Sequence, residues 1–329
     1  MNTKMITCMV AAALLSNAYL ADAQQTGKVS RIGFLDASTV SGSAVLVEPF
    51  RQELSKLGWI EGKSIAFEYR FAEGQPERLP ELAAELVRLR VDLIVVAGIG
   101  AALAAKSVTA SIPIVMASAG DPVGAGLVAS LAQPGGNVTG LSTLAPDLDT
   151  KRIEVLKDAV PKLVRVGLLL TPTAGLVGDR SLKDLRVTAL SLKLKLEEID
   201  TQLGTKGLES AFQTAKQKQV GAIMTIAIRP FFAERKRIVE LAVKYRLPAI
   251  YAEKGYVDEG GLMSYGVDYD DLFRKSAHYV DKILKGAKPA DLPVQQATKF
   301  EFVINLKAAK QIGLTIPPDV LARANRVIK

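Results

Sequence analysis

The sequence predicts an α/β protein with two doubly wound, Rossmann-like lobes, each built on a parallel sheet and joined by a multi-strand hinge. Short β-rich runs alternate along the chain with longer amphipathic segments, which is the pattern of strands followed by helices. Several strands, such as residues 92–97 and 113–117, are unbroken apolar runs, typical of parallel strands covered on both faces. The whole alternation occurs twice in succession, which indicates two lobes.

The first series contains five predicted strands, at residues 31–36, 64–70, 92–97, 113–117 and 137–142. Its predicted helices lie at residues 44–57, 76–90, 101–109 and 124–131. In the second of these helices, Leu79, Leu82 and Leu86 recur at helical spacing after Pro76, and proline is well tolerated in a first turn. The series therefore predicts the first lobe.

The second series predicts strands at residues 165–170, 195–199, 222–227, 249–251 and 262–264, with helices at 181–193, 206–218 and 231–245. The tail adds a helix at 270–284, a linker at 286–293, a strand at 300–305 and helices at 306–312 and 317–327. We assign residues 28–142 plus 267–288 to the first lobe and 143–266 plus 289–329 to the second. The hinge is predicted near residues 141–144 and 265–268.

The N-terminus has the layout of a secretory signal peptide. Lys4 is followed by an apolar run over residues 6–15 and by the small-x-small pattern of Ala21 and Ala23. A membrane-spanning helix needs about 20 apolar residues, so this run is too short to be an anchor. We expect cleavage after Ala23, export to the periplasm, and no membrane insertion of the mature chain. The single cysteine, Cys8, lies inside the signal, which leaves no thiol for a disulfide or a nucleophile.

The composition argues against catalysis and against nucleic-acid binding. The net charge is +8, but the basic residues are scattered among acidic ones, without a basic stripe that contains aromatic residues. His278 is the single histidine, and no P-loop, GxSxG or HExxH motif is present. We therefore expect no enzyme, no metal and no cofactor. An exported α/β hydrolase or isomerase is the alternative, and it would need a nucleophile or base that the sequence does not offer.

Polar and glycine residues follow the predicted strands where each strand ends. In open parallel sheets, ligands bind outside the carboxyl ends of the strands, and helix N-termini there favour anions. Two facing lobes would form a cleft that closes over a small molecule. The candidate ligand-binding residues on this basis are Asp36, Ser38, Gly98, Gly100, Ala101, Ser118, Thr171, Arg229, Tyr251 and Glu253. The turn at residues 98–102 either receives the anionic end of the ligand or is a plain tight turn.

Several longer blocks of sequence are specific enough to indicate a family. They are GDPVGAGLV at residues 120–128, PGGNVTG at 134–140 and GGLMSYG at 260–266, together with matching residues in 57–63 and 300–318. These blocks strongly resemble the ABC substrate-binding family of the tryptophan/tyrosine transport type, over essentially the whole mature chain. The resemblance implies a periplasmic-binding-protein type I fold, no catalysis, and a membrane permease and an ATPase as partners.

The resemblance also places residues in the cleft: Ser118, Asp121 and Thr139 in the first lobe, and Tyr251, Glu253 and Tyr265 in the second lobe or hinge. Each has a structural alternative, since Asp121 suits a helix cap, Thr139 a glycine-rich turn and Tyr265 packing at the hinge. The chain departs from the family at Ile99 and Gly100, where relatives carry a hydroxyl residue and a proline.

The functional expectation is a monomeric periplasmic protein that captures a small organic solute, an amino acid or another small carboxylate or aromatic compound, for an ABC importer. The alternative is a protein of the same fold that senses its ligand and signals to a membrane receptor.

Overall fold

The structure is a computed structural model that describes residues 29–143, 145–171 and 179–329. The predicted signal peptide at residues 1–23 lies outside the described residues, as do Pro172 and Thr173 of the predicted loop after Thr171. No helix in the described ranges is both long and apolar enough to cross a membrane.

The first sheet has six strands in the order β11-β5-β4-β3-β1-β2, and every pairing is parallel. The strands are β1 Ser30–Asp36, β2 Ile65–Phe71, β3 Leu93–Ala97, β4 Ile114–Ala119, β5 Val138–Ser142 and β11 Gln295–Gln296. The helices that belong with this sheet are α1 Val40–Lys56, α2 Leu79–Arg88, α3 Ile99–Val108 and α10 Tyr269–Leu284. We call this unit the first lobe.

The first sheet is buried on both faces because successive side chains of an apolar strand point to opposite sides. On one face, Phe34 packs in a cluster with Phe50 of α1 and Phe273 of α10. On the other face, the neighbouring Leu35 packs in a cluster with Leu86 of α2. This two-sided burial is the doubly wound arrangement that the unbroken apolar strands predict.

The second sheet has seven strands in the order β13-β12-β10-β9-β8-β6-β7. They are β6 Arg165–Leu170, β7 Lys195–Asp200, β8 Ala222–Thr225, β9 Ala249–Tyr251, β10 Met263–Val267, β12 Phe300–Asn305 and β13 Arg326–Ile328. All pairings are parallel except that of β10 with β12. The accompanying helices are α4 Ala145–Ala159, α5 Asp179–Ser191, α6 Thr205–Gln217, α7 Arg229–Ala233, α8 Arg235–Lys244, α9 Lys254–Asp258, α11 Leu306–Ile312 and α12 Pro318–Ala322. We call this unit the second lobe.

The predicted fold class of two parallel-dominated, doubly wound α/β units is therefore confirmed. Between described elements, the chain passes from one sheet to the other after β5, after β10 and after β11. The last passage differs from the predicted division, which assigned residues 289–329 wholly to the second lobe. Gln295 and Gln296 instead pair with Leu141 and Ser142 of β5, so this short strand extends the first sheet.

The helices predicted at residues 124–131 and 317–327 differ from the structure. Residues 124–131 form turns, because the Asp121 carboxylate accepts the Gly124 N–H and Gly126 takes a positive φ of 68°. The helix predicted at 317–327 ends at Ala322. Asn325 then exchanges two hydrogen bonds with Phe302, through its backbone N–H and its side-chain oxygen, and so starts β13 beside β12. Helix α4, in contrast, was not predicted.

Candidate functional site

The carboxyl ends of the central strands of the first sheet lie side by side. Parallel pairing sets Asp36 of β1 opposite Ala97 of β3, and Ala97 opposite Ser118 of β4. Gly98 follows β3 with a φ of 86°, and its N–H donates to the Ser118 carbonyl at 2.7 Å. Glycine suits this position because other residues rarely adopt a positive φ. The turn thus starts α3 at the tip of the sheet, with Gly100 and Ala101 in its first turn.

The Asp36 carboxylate is buried at this edge, with 1% of the residue exposed. It accepts a hydrogen bond from the Ser43 hydroxyl at 2.6 Å and another from the Ser38 N–H at 3.0 Å. Ser38 lies in the loop after β1 and Ser43 lies in α1, so the chain after β1 folds back over the end of that strand. The Ser38 hydroxyl is also fully buried and has no hydrogen-bond partner.

Arg229 of the second lobe hydrogen-bonds to the Asp36 carboxylate. It starts α7 after β8, and its guanidinium donates from Nε and Nη2 to Asp36 at 3.0–3.3 Å. The guanidinium carbon of Arg229 lies 4.7 Å from the centre of the Phe232 ring. A Cβ placed on Gly98 would lie 3.0 Å from Cγ of Arg229. Arg229 is 6% exposed, so the ion pair between the two lobes is almost dry. The lobes therefore meet at the tips of their strands.

A second carboxylate flanks the Arg229 guanidinium. Glu253 follows β9 and is 4% exposed, with Oε2 3.6 Å from Nη1 of Arg229. Burial raises the pKa of Glu253 to about 7, and Asp36 adds to this, while Arg229 lowers it in part. Burial alone would lower the pKa of Arg229, but Asp36 and Glu253 hold it above its usual value. Nη1 is the guanidinium nitrogen without a hydrogen-bond partner.

The two tyrosines among the predicted residues contact protein. Tyr251 is buried and stacks on Tyr256 with ring centres 4.6 Å apart, and its hydroxyl has no hydrogen-bond partner. It belongs to the core cluster of the second lobe. Tyr265 is half-buried, with its ring edge-on to Phe302, and its carbonyl accepts from Arg152 at 3.1 Å.

Three further predicted residues lie apart from the Arg229 contacts. Asp121 is exposed and accepts the Gly124 N–H, but it does so within a turn, because the helix that it would cap does not form. Thr139 is buried within β5, and its hydroxyl donates to the Leu292 carbonyl at 2.6 Å. Thr171 is buried immediately after β6. The structure thus brings together Asp36, Ser38, Gly98, Arg229 and Glu253.

A buried ion pair on α4 was not predicted from the sequence. Arg152 and Asp149 are 1% and 3% exposed and hydrogen-bond to each other. Burial raises the pKa of Asp149, against the opposing effect of Arg152. A signal was present, since Arg152 lies four residues from both Leu148 and Leu156, the spacing of one helix face.

Comparisons with known proteins agree with one another. Residues 38–328 match the family described as ABC transporter substrate binding protein. The crystal structure of a conserved domain protein from Vibrio cholerae is 32% identical, with 91% of this chain and 100% of that chain covered and a TM-score of 0.83. The crystal structure of an ABC domain from Streptococcus pneumoniae in complex with L-Trp is 28% identical, with coverages of 92% and 100% and a TM-score of 0.82. A tyrosine-binding protein from Clostridioides difficile is 27% identical over 270 residues, 80% of this chain and 75% of the relative.

Proposed function

Because the chain belongs to the ABC transporter substrate binding protein family, with the type I periplasmic-binding-protein fold, we propose that it captures an amino acid between its lobes and delivers it to an ABC importer. One observation carries the choice of site. The interlobe contact at Asp36 and Arg229 is buried, yet it retains polar groups without hydrogen-bond partners, at Nη1 of Arg229 and at the Ser38 hydroxyl. Buried polar groups are normally satisfied, so these are places for a ligand.

The ligand class is supported by the relatives and by the charges. Relatives of similar sequence include a structure in complex with L-Trp and a protein named for binding tyrosine. The proposed site offers the N-terminus of α3 at Gly98, a guanidinium at Arg229, and carboxylates at Asp36 and Glu253. These groups suit the two charged ends of an amino acid.

Binding is proposed to proceed by hinge closure. The passages after β5, β10 and β11 would flex, and the strand tips of the two lobes would close over the solute. In the open form, Asp36 and Arg229 would be exposed. In the closed form they would be in contact again, directly or through the ligand. A permease would then recognise the closed protein, which is proposed to act as a periplasmic monomer after export.

The test is a thermal-shift and calorimetric screen of the twenty amino acids and small aromatic acids against the full mature chain. L-Tryptophan or L-tyrosine at about 100 times its Kd should stabilise the protein by about 2.7 kcal/mol through mass action. Gly100→Pro removes one N–H from the first turn of α3, where proline is tolerated, and should weaken binding while the chain still folds. No binding by any amino acid would refute the ligand class.

Transport is tested separately, by uptake of the labelled ligand into proteoliposomes that hold the matching permease and ATPase. Uptake that depends on this protein supports transport. Binding without uptake would favour a sensor of the same fold. Arg323→Gln serves as the control variant, because it removes an ion pair with Asp158 in which both partners are more than 40% exposed.

A further inference from the structure

The amino ends of four neighbouring strands of the second sheet lie at the edge opposite the interlobe contact. Strands β6, β7, β8 and β9 pair in parallel, so the segments that lead into them share this edge. Backbone bonds join the segments, since the Lys195 N–H donates to the Val164 carbonyl at 2.8 Å and the Gly221 N–H to the Arg165 carbonyl at 2.9 Å. We call residues 159–165, 189–195, 216–222 and 243–249 the basic end of the second lobe.

The basic end carries charge of one sign. Its four segments contain eight lysine or arginine residues and no aspartate or glutamate. Glu197 and Glu209, outside the segments, pair with three of these lysines. Lys162, Lys193 and Lys216 are exposed and form no ion pair within the part of the chain that the structure describes. The basic end therefore presents uncompensated positive charge to its surroundings.

The first lobe lacks this excess of charge. Its corresponding segments, at 59–65, 87–93, 108–114 and 132–138, lead into β2, β3, β4 and β5 and hold three basic and two acidic residues. Basic residues in a last helical turn stabilise any helix, and both lobes have them, so this effect does not explain the difference. Counted over whole lobes, residues 29–143 and 268–298 hold 14 basic and 16 acidic residues. Residues 145–171, 179–267 and 299–329 hold 26 and 17.

Two large aliphatic side chains are exposed within the basic end. Val164 is 63% exposed and Leu190 is 74% exposed. Their carbonyls accept the N–H groups of Lys195 and Lys193, which places both side chains among the positive charges. Basic residues around exposed aliphatic ones suit a lipid surface, where anionic head groups cover an apolar interior.

We propose that the basic end of the second lobe docks on an anionic lipid bilayer, with its lysines and arginines on the lipid phosphates and with Val164 and Leu190 at the head-group boundary. The proposal goes beyond solute binding, because this edge of the sheet lies opposite the contact of Asp36 with Arg229. Charge complementarity selects an anionic partner, and the exposed aliphatic side chains select a bilayer.

A nucleic acid fits the same surface less well. Proteins that bind single strands without sequence preference stack bases on aromatic rings. Tyr245 is the one aromatic residue in the four segments, and it is half-buried. Its ring contacts Phe212 and Lys244, and its hydroxyl donates to Glu209 at 2.7 Å. The basic end thus has no free aromatic ring for a base.

Flotation of the full mature chain with lipid vesicles tests the docking in the absence of any solute. One set of vesicles contains phosphatidylethanolamine and phosphatidylglycerol, and the other contains phosphatidylcholine alone. We expect binding to the anionic vesicles only, and its loss at about 1 M salt, where the Debye length is about 3 Å. No binding to the anionic vesicles, or equal binding to both sets, would overturn the proposal. Binding to a duplex DNA probe without binding to vesicles would assign the surface to nucleic acid and overturn it as well.

A triple variant, Lys162→Gln, Lys193→Gln and Lys216→Gln, locates the docking at the basic end. It changes a loop residue, a residue with a φ of 57° and a residue in a last helical turn. The three side chains are exposed and bond to no described group, so the variant should fold. Each basic residue near an anionic surface strengthens binding about fivefold, so the triple variant should bind the anionic vesicles about 100-fold more weakly.

The matched control lies on the first lobe and is Lys63→Gln, Arg88→Gln and Arg90→Gln. These residues are equally exposed, occupy the same three kinds of position and carry the same total charge. The control should weaken vesicle binding by less than about 3-fold, since its charges lie on the other lobe. Equal losses in the two triple variants would show a response to net charge alone and would overturn the proposal.

The aliphatic contact has its own test, which leaves the charge unchanged. The double variant Val164→Ser and Leu190→Ser removes apolar groups that are exposed in the free protein, so its folding should not change. Each CH₂ group placed in the bilayer strengthens binding about fourfold, so the double variant should bind the anionic vesicles at least about 10-fold more weakly. Unchanged vesicle binding by this variant would contradict the choice of a bilayer as the partner.

Discussion

Replacing Arg152 with methionine tests whether the buried pair on α4 holds the second lobe together. Arg152 donates to Asp149 and to the Tyr265 carbonyl, and 1% of its side chain is exposed. Methionine fills much of the same volume but leaves the Asp149 carboxylate buried without a counter-ion. Breaking a buried pair in this way costs about 3–5 kcal/mol, and the lost hydrogen bond to Tyr265 belongs within that cost. We expect a loss of about 4 kcal/mol in the free energy of unfolding.

Urea denaturation of four proteins measures this loss: the unaltered chain, Arg152→Met, Asp149→Asn and the double variant. The double variant should recover much of the stability, since neither charge remains, and the double-mutant cycle gives the coupling between the two residues. Arg323→Met is the matched control, because its ion pair with Asp158 is exposed and should contribute less than about 1 kcal/mol. A loss below about 1 kcal/mol for Arg152→Met, or strictly additive losses, would refute the reasoning.

The same variant has a predictable pH dependence. Burial raises the pKa of Asp149 and Arg152 lowers it, so removing Arg152 raises that pKa further. The folded variant then holds a proton that the unfolded chain, with an ordinary aspartate, releases. Its stability should therefore rise as the pH falls towards the ordinary pKa of an aspartate, and its deficit relative to the unaltered chain should shrink.

Three further outcomes are expected. Thr139→Val leaves the Leu292 carbonyl without its hydrogen bond and should cost about 1–2 kcal/mol in urea denaturation without changing ligand affinity. Tyr251→Phe removes a buried hydroxyl that has no partner, so stability should stay the same or rise, and a loss above about 1 kcal/mol would contradict this. Glu253 has a folded pKa of about 7 against an ordinary 4.5, so the folded state holds a proton that the unfolded chain releases. The free energy of unfolding should therefore fall as the pH rises from 4.5 to 7, by an amount on the order of 3 kcal/mol. In Glu253→Gln, the corresponding fall of the melting temperature with rising pH should disappear.

The core strands were predictable because a strand that is buried on both faces requires a continuous run of apolar residues. Strand β1 was predicted at 31–36 and is Ser30–Asp36, and β6 was predicted at 165–170 and is Arg165–Leu170. Strand β13 was not predictable in this way, because it depends on the bonds between Asn325 and the distant Phe302. The helix prediction at residues 124–131 failed for a local reason, since glycines and a capping carboxylate override the apolar residues there.

The candidate site was predictable as a set of places but not as a set of bonds. The rule that ligands lie at strand tips selected Asp36, Arg229 and Glu253 from separate elements. The pairing of Asp36 with Arg229 depends on how two lobes face each other, and no local pattern in the sequence encodes that. Asp121 and Thr139 came from the family resemblance, and their side chains bond to Gly124 and Leu292 in this chain.

The buried charges of the interlobe contact and of the α4 pair act on one another electrostatically. Arg152 lowers the pKa of Glu253, so the α4 pair lies within range of the interlobe contact. Asp36 pairs with Arg229 and Asp149 pairs with Arg152, while Glu253 lies beside Arg229. Under the proposed function, an amino acid without net charge would leave these pairs compensated, whereas a simple acid or amine would add one uncompensated charge to a region almost without water.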